Sequence, residues 1–215
     1  MSRTSDAATR LRRRIATGQL AGGAKLNEVH LAEDLGISRN TLREVFATLS
    51  SEGLLERVAH RGVFVAVPGP EQVREMYRLR RLIEPAVLLW SEDLDVAELS
   101  ACGRRAAQAV QTGDIVAASE ANQDFHRIII ECIGSSYASE VLGRMLGIMR
   151  LVFTHAQREH QDFPADFARE NARIAELAAA GRREQAAEAM RSYLRQAESQ
   201  LLRVTSDDRI IEAES

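Results

Sequence analysis

The sequence predicts a mainly α protein in two parts: a small N-terminal domain of three helices closed by a β-hairpin, then an all-α helical bundle of about six helices. Three observations predict it. Apolar residues recur at helical spacing along most of the chain, one short stretch alternates with period two, and Pro68-Gly69-Pro70 separates that stretch from everything after it. The expected boundaries are 1–67 for the first domain, 68–72 for a stiff linker, 73–205 for the bundle and 206–215 for a frayed tail.

In the first domain, Ala8, Leu11 and Ile15 mark a helix over 7–17 that Gly18 stops. The following QLAGGAKL reads as a loop. Asn27 is placed to cap a short second helix, with Leu31 and Leu35 inward and Gly36 at its end. Ser38 is placed to cap a third, along which Leu42, Val45, Phe46 and Leu49 recur before Gly53 closes it. LLERV and VFVAV have the alternation and β-branched content of two strands, joined at AHRG. Helix, helix, tight glycine turn, helix, hairpin is the order of a winged helix-turn-helix. From Glu71 to about Arg203 every segment reads helical, with breaks near Asp93, Gly113, Gly134, Pro164 and Gly181.

Hydrophobic residues make up 45% and charged residues 27%, ordinary for a soluble globular chain. There is no N-terminal apolar core, long apolar run or lipidation signal, so a cytoplasmic protein with no membrane partner is expected. Cys102 and Cys132 match no metal spacing and read as free thiols. The net charge of −3 is unevenly spread. Residues 1–67 hold ten Lys/Arg against seven Asp/Glu, whereas the remainder holds 18 against 24. A basic first third on an acidic remainder places any nucleic-acid contact in the first domain.

The third helix presents Arg39, Asn40, Arg43 and Ala47 opposite its apolar stripe. Arg pairs bidentately with guanine and Asn with adenine in the major groove, while Ser38 and Thr41 at the helix start suit phosphate contacts. Arg61 and Gly62 at the hairpin turn offer a cation and bare backbone to the adjacent minor groove. A solvated helix face and an ordinary hairpin are the plainer alternative.

In the bundle, Val73, Tyr77, Arg80, Glu84 and Val87 share one arc of the first helix, and Leu82 and Leu89 fall outside it. Asn122 lies on a face with Ala118, Phe125 and Ile129, with His126 at its edge. Asn171 shares a face with Ile174, Ala175 and Ala178, and Tyr193 with Ala186, Met190 and Ala197. Polar side chains on apolar faces need partners, because an unpaired buried polar group costs about 1–3 kcal/mol. Either they satisfy one another, or a ligand or water between the helices does.

LAEDLGISRNTLREVFATLSSEGLLE, with RGVFV after it, resembles the DNA-binding signature of the GntR family of bacterial regulators, over roughly residues 7–67. The resemblance implies that Arg39, Asn40, Thr41 and Arg43 read an operator while Arg61 and Gly62 contact it from the wing. The chain departs from the family at Thr41, where Pro is frequent, at Ala47 and Thr48, where basic residues are frequent, and near Val29, where some relatives carry arginine. REMYRLRRLIEPAV, NQDFHRIII and the last two helices are similar to the FCD effector domain of the FadR-type branch. This implies a homodimer, a double-stranded DNA operator and a small organic acid effector, usually with repression relieved by ligand. Many relatives also hold a divalent metal with Asp or Asn, a His four residues on, and two later histidines. Here those positions carry Asn122, His126, Asn171 and Tyr193. With two imidazoles missing, no metal or other cofactor is expected, although His155 and His160 lie near in sequence. The expected effector site is Arg80, Glu84, Asn122, His126, Asn171 and Tyr193, with Arg80 as a carboxylate fork.

Two other functions compete. An enzyme would use His126 and Glu84 as acid and base, but no nucleophile motif, phosphate loop or complete metal set accompanies them. A DNA binder with a degenerate pocket would need no ligand at all.

Overall fold

The computed structural model describes residues 3–159 and 163–213, with side-chain surroundings for all of these except 115, 155, 157–159, 163–166 and 204–213. It shows a mainly α chain with one two-stranded antiparallel sheet among the described residues.

The small domain is α1 (Arg3–Ala16), α2 (Glu28–Leu35), α3 (Arg39–Ser51), β1 (Leu55–Val58) and β2 (Gly62–Val65). Asn27 caps α2, its side chain accepting from the Val29 and His30 N–H groups, and Gly36 ends the helix in the left-handed conformation at φ 68°. Ser38 caps α3 by accepting from the Thr41 N–H. Leu11, Ile15, Leu42, Val45, Phe46 and Leu49 bury together beneath the hairpin. The strands pair Leu55 with Val65 through Val58 with Gly62, which turns Val63 and Val65 inward. The segment expected to be a free loop is pinned to β2. Leu26 N–H donates to Val63 O at 2.8 Å, Val65 N–H to Ala24 O at 3.0 Å and Gly23 N–H to Val65 O at 2.9 Å. These bonds satisfy the outer edge of β2, a requirement that local patterning does not reveal.

Six helices follow among the described residues: α4 (Pro70–Trp90), α5 (Val96–Gln111), α6 (Ile115–Glu131), α7 (Ser136–Glu159), α8 (Phe163–Ala179) and α9 (Arg183–Ala213). Helix α4 starts at Pro70, inside the expected linker, because a first-turn proline lacks only an N–H that would have no helical partner. Helix α9 carries backbone helix through the expected tail to Ala213, since no glycine or proline interrupts it. Helix α4 packs along α9, and α5 against α6 and α8. Gly103 permits the α5–α8 approach: a Cβ there would lie 3.1 Å from the Ala172 Cα. Leu89 packs partly buried against the bundle core, whereas Leu82 is 70% exposed.

The two cores meet at α7. Its Met149, Val152 and Phe153 bury in the bundle, while Leu151 buries in the core of the small domain. Arg150 Nε donates to the Ala16 carbonyl at the end of α1, and the Thr154 hydroxyl, which donates to the Arg150 carbonyl at 2.8 Å, stands 3.4 Å from it.

Candidate functional site

Two sites follow from this architecture, one on the surface of the small domain and one inside the bundle. On α3, Arg39, Asn40, Arg43 and Ala47 are exposed, opposite the buried Leu42, Val45 and Leu49. The Ser38 and Thr41 hydroxyls stand 2.9 Å apart, so they hold the helix start as well as facing outward. On the wing, His60 adopts a left-handed φ of 59°, and the Arg61 guanidinium lies over the Phe64 ring at 5.7 Å. Gly62 opens β2 at φ 115°, a conformation that favours glycine.

Two residues join this surface that the sequence reading left out. Glu28, on α2, accepts from Arg43 Nε at 3.1 Å and stands 3.9 Å from Arg39 Nη2. It pairs with Arg43 and draws Arg39 toward it on the exposed side of α3. Exposed Lys25, the chain's only lysine, lies against the wing, where a Cβ at Gly62 would meet its Cε at 3.3 Å. Only its unusual identity in an arginine-rich chain could have marked it.

The six bundle residues expected to form a site do come together. Arg80, Glu84, Asn122, His126 and Asn171 are all buried, as is Tyr193. Arg80 Nε donates to Glu84 Oε1 at 2.6 Å, and His126 Nδ1 meets Glu84 Oε2 at 2.7 Å. His126 Nε2 stands 3.0 Å from the Tyr193 hydroxyl, with the two rings stacked 5.5 Å apart. The Tyr193 hydroxyl also lies 3.2 Å from Asn122 Oδ1, which accepts from Asn171 Nδ2 at 2.8 Å. Four helices are thus joined by one polar chain.

The charges in this cluster are decided by burial against pairing. Burial by itself would raise the Glu84 carboxyl, but Arg80 and then His126 outweigh it and bring it down to about 2. Burial lowers His126 below the ordinary histidine value despite the pull of Glu84, so the ring is neutral. Burial also pushes Tyr77 up to about 12 and Tyr193 well above the ordinary phenol value. An ionised carboxylate only accepts, so His126 Nδ1 carries the ring proton and Nε2 accepts from Tyr193. Tyr193 then has no proton left for Asn122. The 3.2 Å contact is satisfied by turning both amides over, so that Asn122 donates to Tyr193 and to Asn171.

The metal implied by the resemblance does not fit these residues. The Tyr193 hydroxyl closes His126 Nε2, Glu84 closes Nδ1, and the other two positions are neutral amides. Among the described residues no group of three or more His, Cys, Asp or Glu could hold an ion. The His155 and His160 side chains lie outside the described residues.

Comparison with known proteins matches residues 3–65 to the gntR family of bacterial regulatory proteins and residues 75–196 to the FCD domain. The chain belongs to the GntR family of transcriptional regulators and carries an FCD domain. A GntR transcriptional regulator from Rhodococcus sp. RHA1 has a similar structure, with TM-score 0.87 and 31% identity over 94% of this chain and 98% of that one. E. coli McbR/YncC superposes with TM-score 0.79 and 25% identity, over 94% and 98% of the two chains. The HTH-type transcriptional regulator SmoD of Agrobacterium fabrum is 46% identical over 90 residues, covering 41% of this chain and 38% of that protein. The galactonate operon transcriptional repressor of Escherichia coli is 24% identical, over 71% of this chain and 76% of that protein.

Proposed function

We propose that this GntR-family regulator is a homodimeric repressor that reads a double-stranded operator and is controlled by a small carboxylate. Helix α3 enters the major groove with Arg39, Asn40 and Arg43, while Ser38 and Thr41 face phosphate and Arg61, Gly62 and Lys25 line the wing. The observation that carries this reading is the capped, rigidly backed α3, whose exposed face bears the two side-chain types that read guanine and adenine. Arg39→Ala is expected to weaken specific binding by about 1–3 kcal/mol and relax base preference at one position. Operator selection followed by footprinting tests it; unchanged affinity and preference would remove α3 as the reader.

The effector half rests on Arg80, Glu84, Asn122, His126, Asn171 and Tyr193. Relatives that carry the names of galactonate and gluconate operons support a carboxylate. A ligand-independent DNA binder is the second reading, favoured by the closure of the polar chain on itself.

A further inference from the structure

Helix α2 opens at the edge of the surface that α3 presents. Its first residue, Glu28, reaches across to Arg43 at 3.1 Å and toward Arg39 at 3.9 Å, so the start of α2 borders those arginines. The next residue is Val29, which is 49% exposed. The fold does not need an apolar side chain there, because Leu31, Ala32 and Leu35 supply the buried face of α2. A β-branched residue also favours a helix less than the straight-chain polar residues do. Val67 is the other large apolar side chain exposed in the small domain among the described residues. It lies against the Gly22–Gly23 loop, where a Cβ at Gly22 would meet its Cγ2 at 3.4 Å. Val29 stands instead where the domain faces a groove.

The chemistry of this position restricts what it can meet on DNA. The valine side chain has no charge and no polar atom, and the Val29 N–H is taken by Asn27 Oδ1 at 3.0 Å. The Glu28 carboxylate beside it disfavours a phosphate at this helix start. Carbon is what remains, and the thymine C5-methyl is the apolar group of the major groove that distinguishes one base from the others. The first helix of a helix-turn-helix crosses the backbone at the rim of the groove that the second helix enters. The cap fixes the Val29 backbone, and branching at Cβ leaves its side chain few rotamers, so a contact there costs little ordering entropy.

We infer that Val29 is a specificity-determining residue of the operator contact, its γ-methyls meeting the C5-methyl of a thymine that flanks the base read by Arg43. This rests on the reading of α3 as the helix that enters the major groove.

The test uses the full chain and duplexes selected from a randomised pool. Each thymine of the selected half-site is replaced singly by deoxyuridine, which removes the C5-methyl and leaves the base pair intact. At one thymine wild type is expected to lose about fourfold in affinity, the worth of one buried methyl. Val29→Ala should bind the thymine and deoxyuridine duplexes alike, at the weakened affinity. Its salt dependence should match wild type, because no phosphate contact is removed. Circular dichroism should show unchanged helix, since the side chain lies outside the core. If Val29→Ala keeps the full methyl dependence, the methyl is read elsewhere and the assignment fails. If Val29→Ala weakens every duplex equally, with no thymine sensitive to its methyl in wild type, Val29 touches only the sugar edge and the assignment fails too. If selection yields no preferred sequence, the operator reading itself falls, and this inference with it.

Discussion

Glu84 carries a full negative charge at a position only 1% exposed, and its neighbours make that tolerable. Removing one partner from such a group leaves an uncompensated charge, so the Arg80–Glu84–His126 unit behaves as a single element of stability. Its pH dependence follows from the two shifts. Glu84 is depressed to about 2 in the fold, so its contribution is complete above the unfolded carboxyl value and is lost as pH falls toward 2. His126 is also depressed by burial, so the unfolded chain takes up its proton first as pH drops through about 6.5, and stability falls there too. Both act in the same direction. Denaturant melts from neutral pH downward should show stability declining first near the histidine range and then more steeply below about pH 4.5. Glu84→Gln should cost about 3 kcal/mol at neutral pH, with a difference from wild type that shrinks as the pH is lowered. A difference that stays constant with pH would show that Glu84 is not the linked group.

Helix α7 serves two cores at once, and that ties the seating of the small domain to the bundle. Leu151 belongs to the small-domain core, and Gly53, at φ 76°, leaves room for Ile148, whose Cδ1 would stand only 2.8 Å from a Cβ. On its other side Phe153 meets Phe167, which packs edge-on to Tyr193 of the polar cluster. Leu151→Ala should cost about 2–5 kcal/mol, taken from the seating of the small domain on α7. Calorimetry should then show the small domain melting ahead of the bundle; a single unshifted transition would place the coupling elsewhere. This contact was not legible in the sequence, because a helix with two apolar faces has the same periodic signal as a thickly buried one. The elements with local chemistry were legible: Asn27 and Ser38 cap where expected, and Gly36 stops α2. Those decided by tertiary contact were not, as with the pairing of Ala24 and Leu26 to β2. The polar cluster was readable as six residues on inward faces. Glu84's hold on Arg80 and the closing of His126 Nε2 by Tyr193 depend on distances that no spacing rule contains.

At the scale of the whole molecule, the outer face of α4 remains to be accounted for. Leu79, Leu82 and Trp90 are exposed, the last two at 70% and 72%, and with half-buried Ala86 between them they follow helical spacing along one stripe. The stripe borders a groove of about 500 Å³ lined by Leu82, Ile83, Trp90, Cys132, Ile133 and Leu142. Tyr137 and Val141, at the start of α7, extend the exposed apolar surface. A continuous patch rimmed by the charged residues of α4 is the form of an association surface rather than of scattered exposure. Under the proposed operator-reading function, a second copy is the expected occupant. One α3 contacts only a half-site, too few base pairs for specificity, and a two-fold dimer presents two α3 helices to one operator. The α4 stripe also suits self-pairing, since a two-fold axis brings the same patch of both copies together. The variant carrying Leu82→Asp and Trp90→Asp should therefore sediment as a monomer at micromolar concentration while wild type sediments as a dimer. Its helical content should be unchanged, because neither side chain belongs to the core. Its operator affinity should fall toward the value for an isolated half-site. A variant that stays dimeric would move the interface off α4, and one that becomes monomeric with full operator affinity would show that a single small domain suffices for recognition.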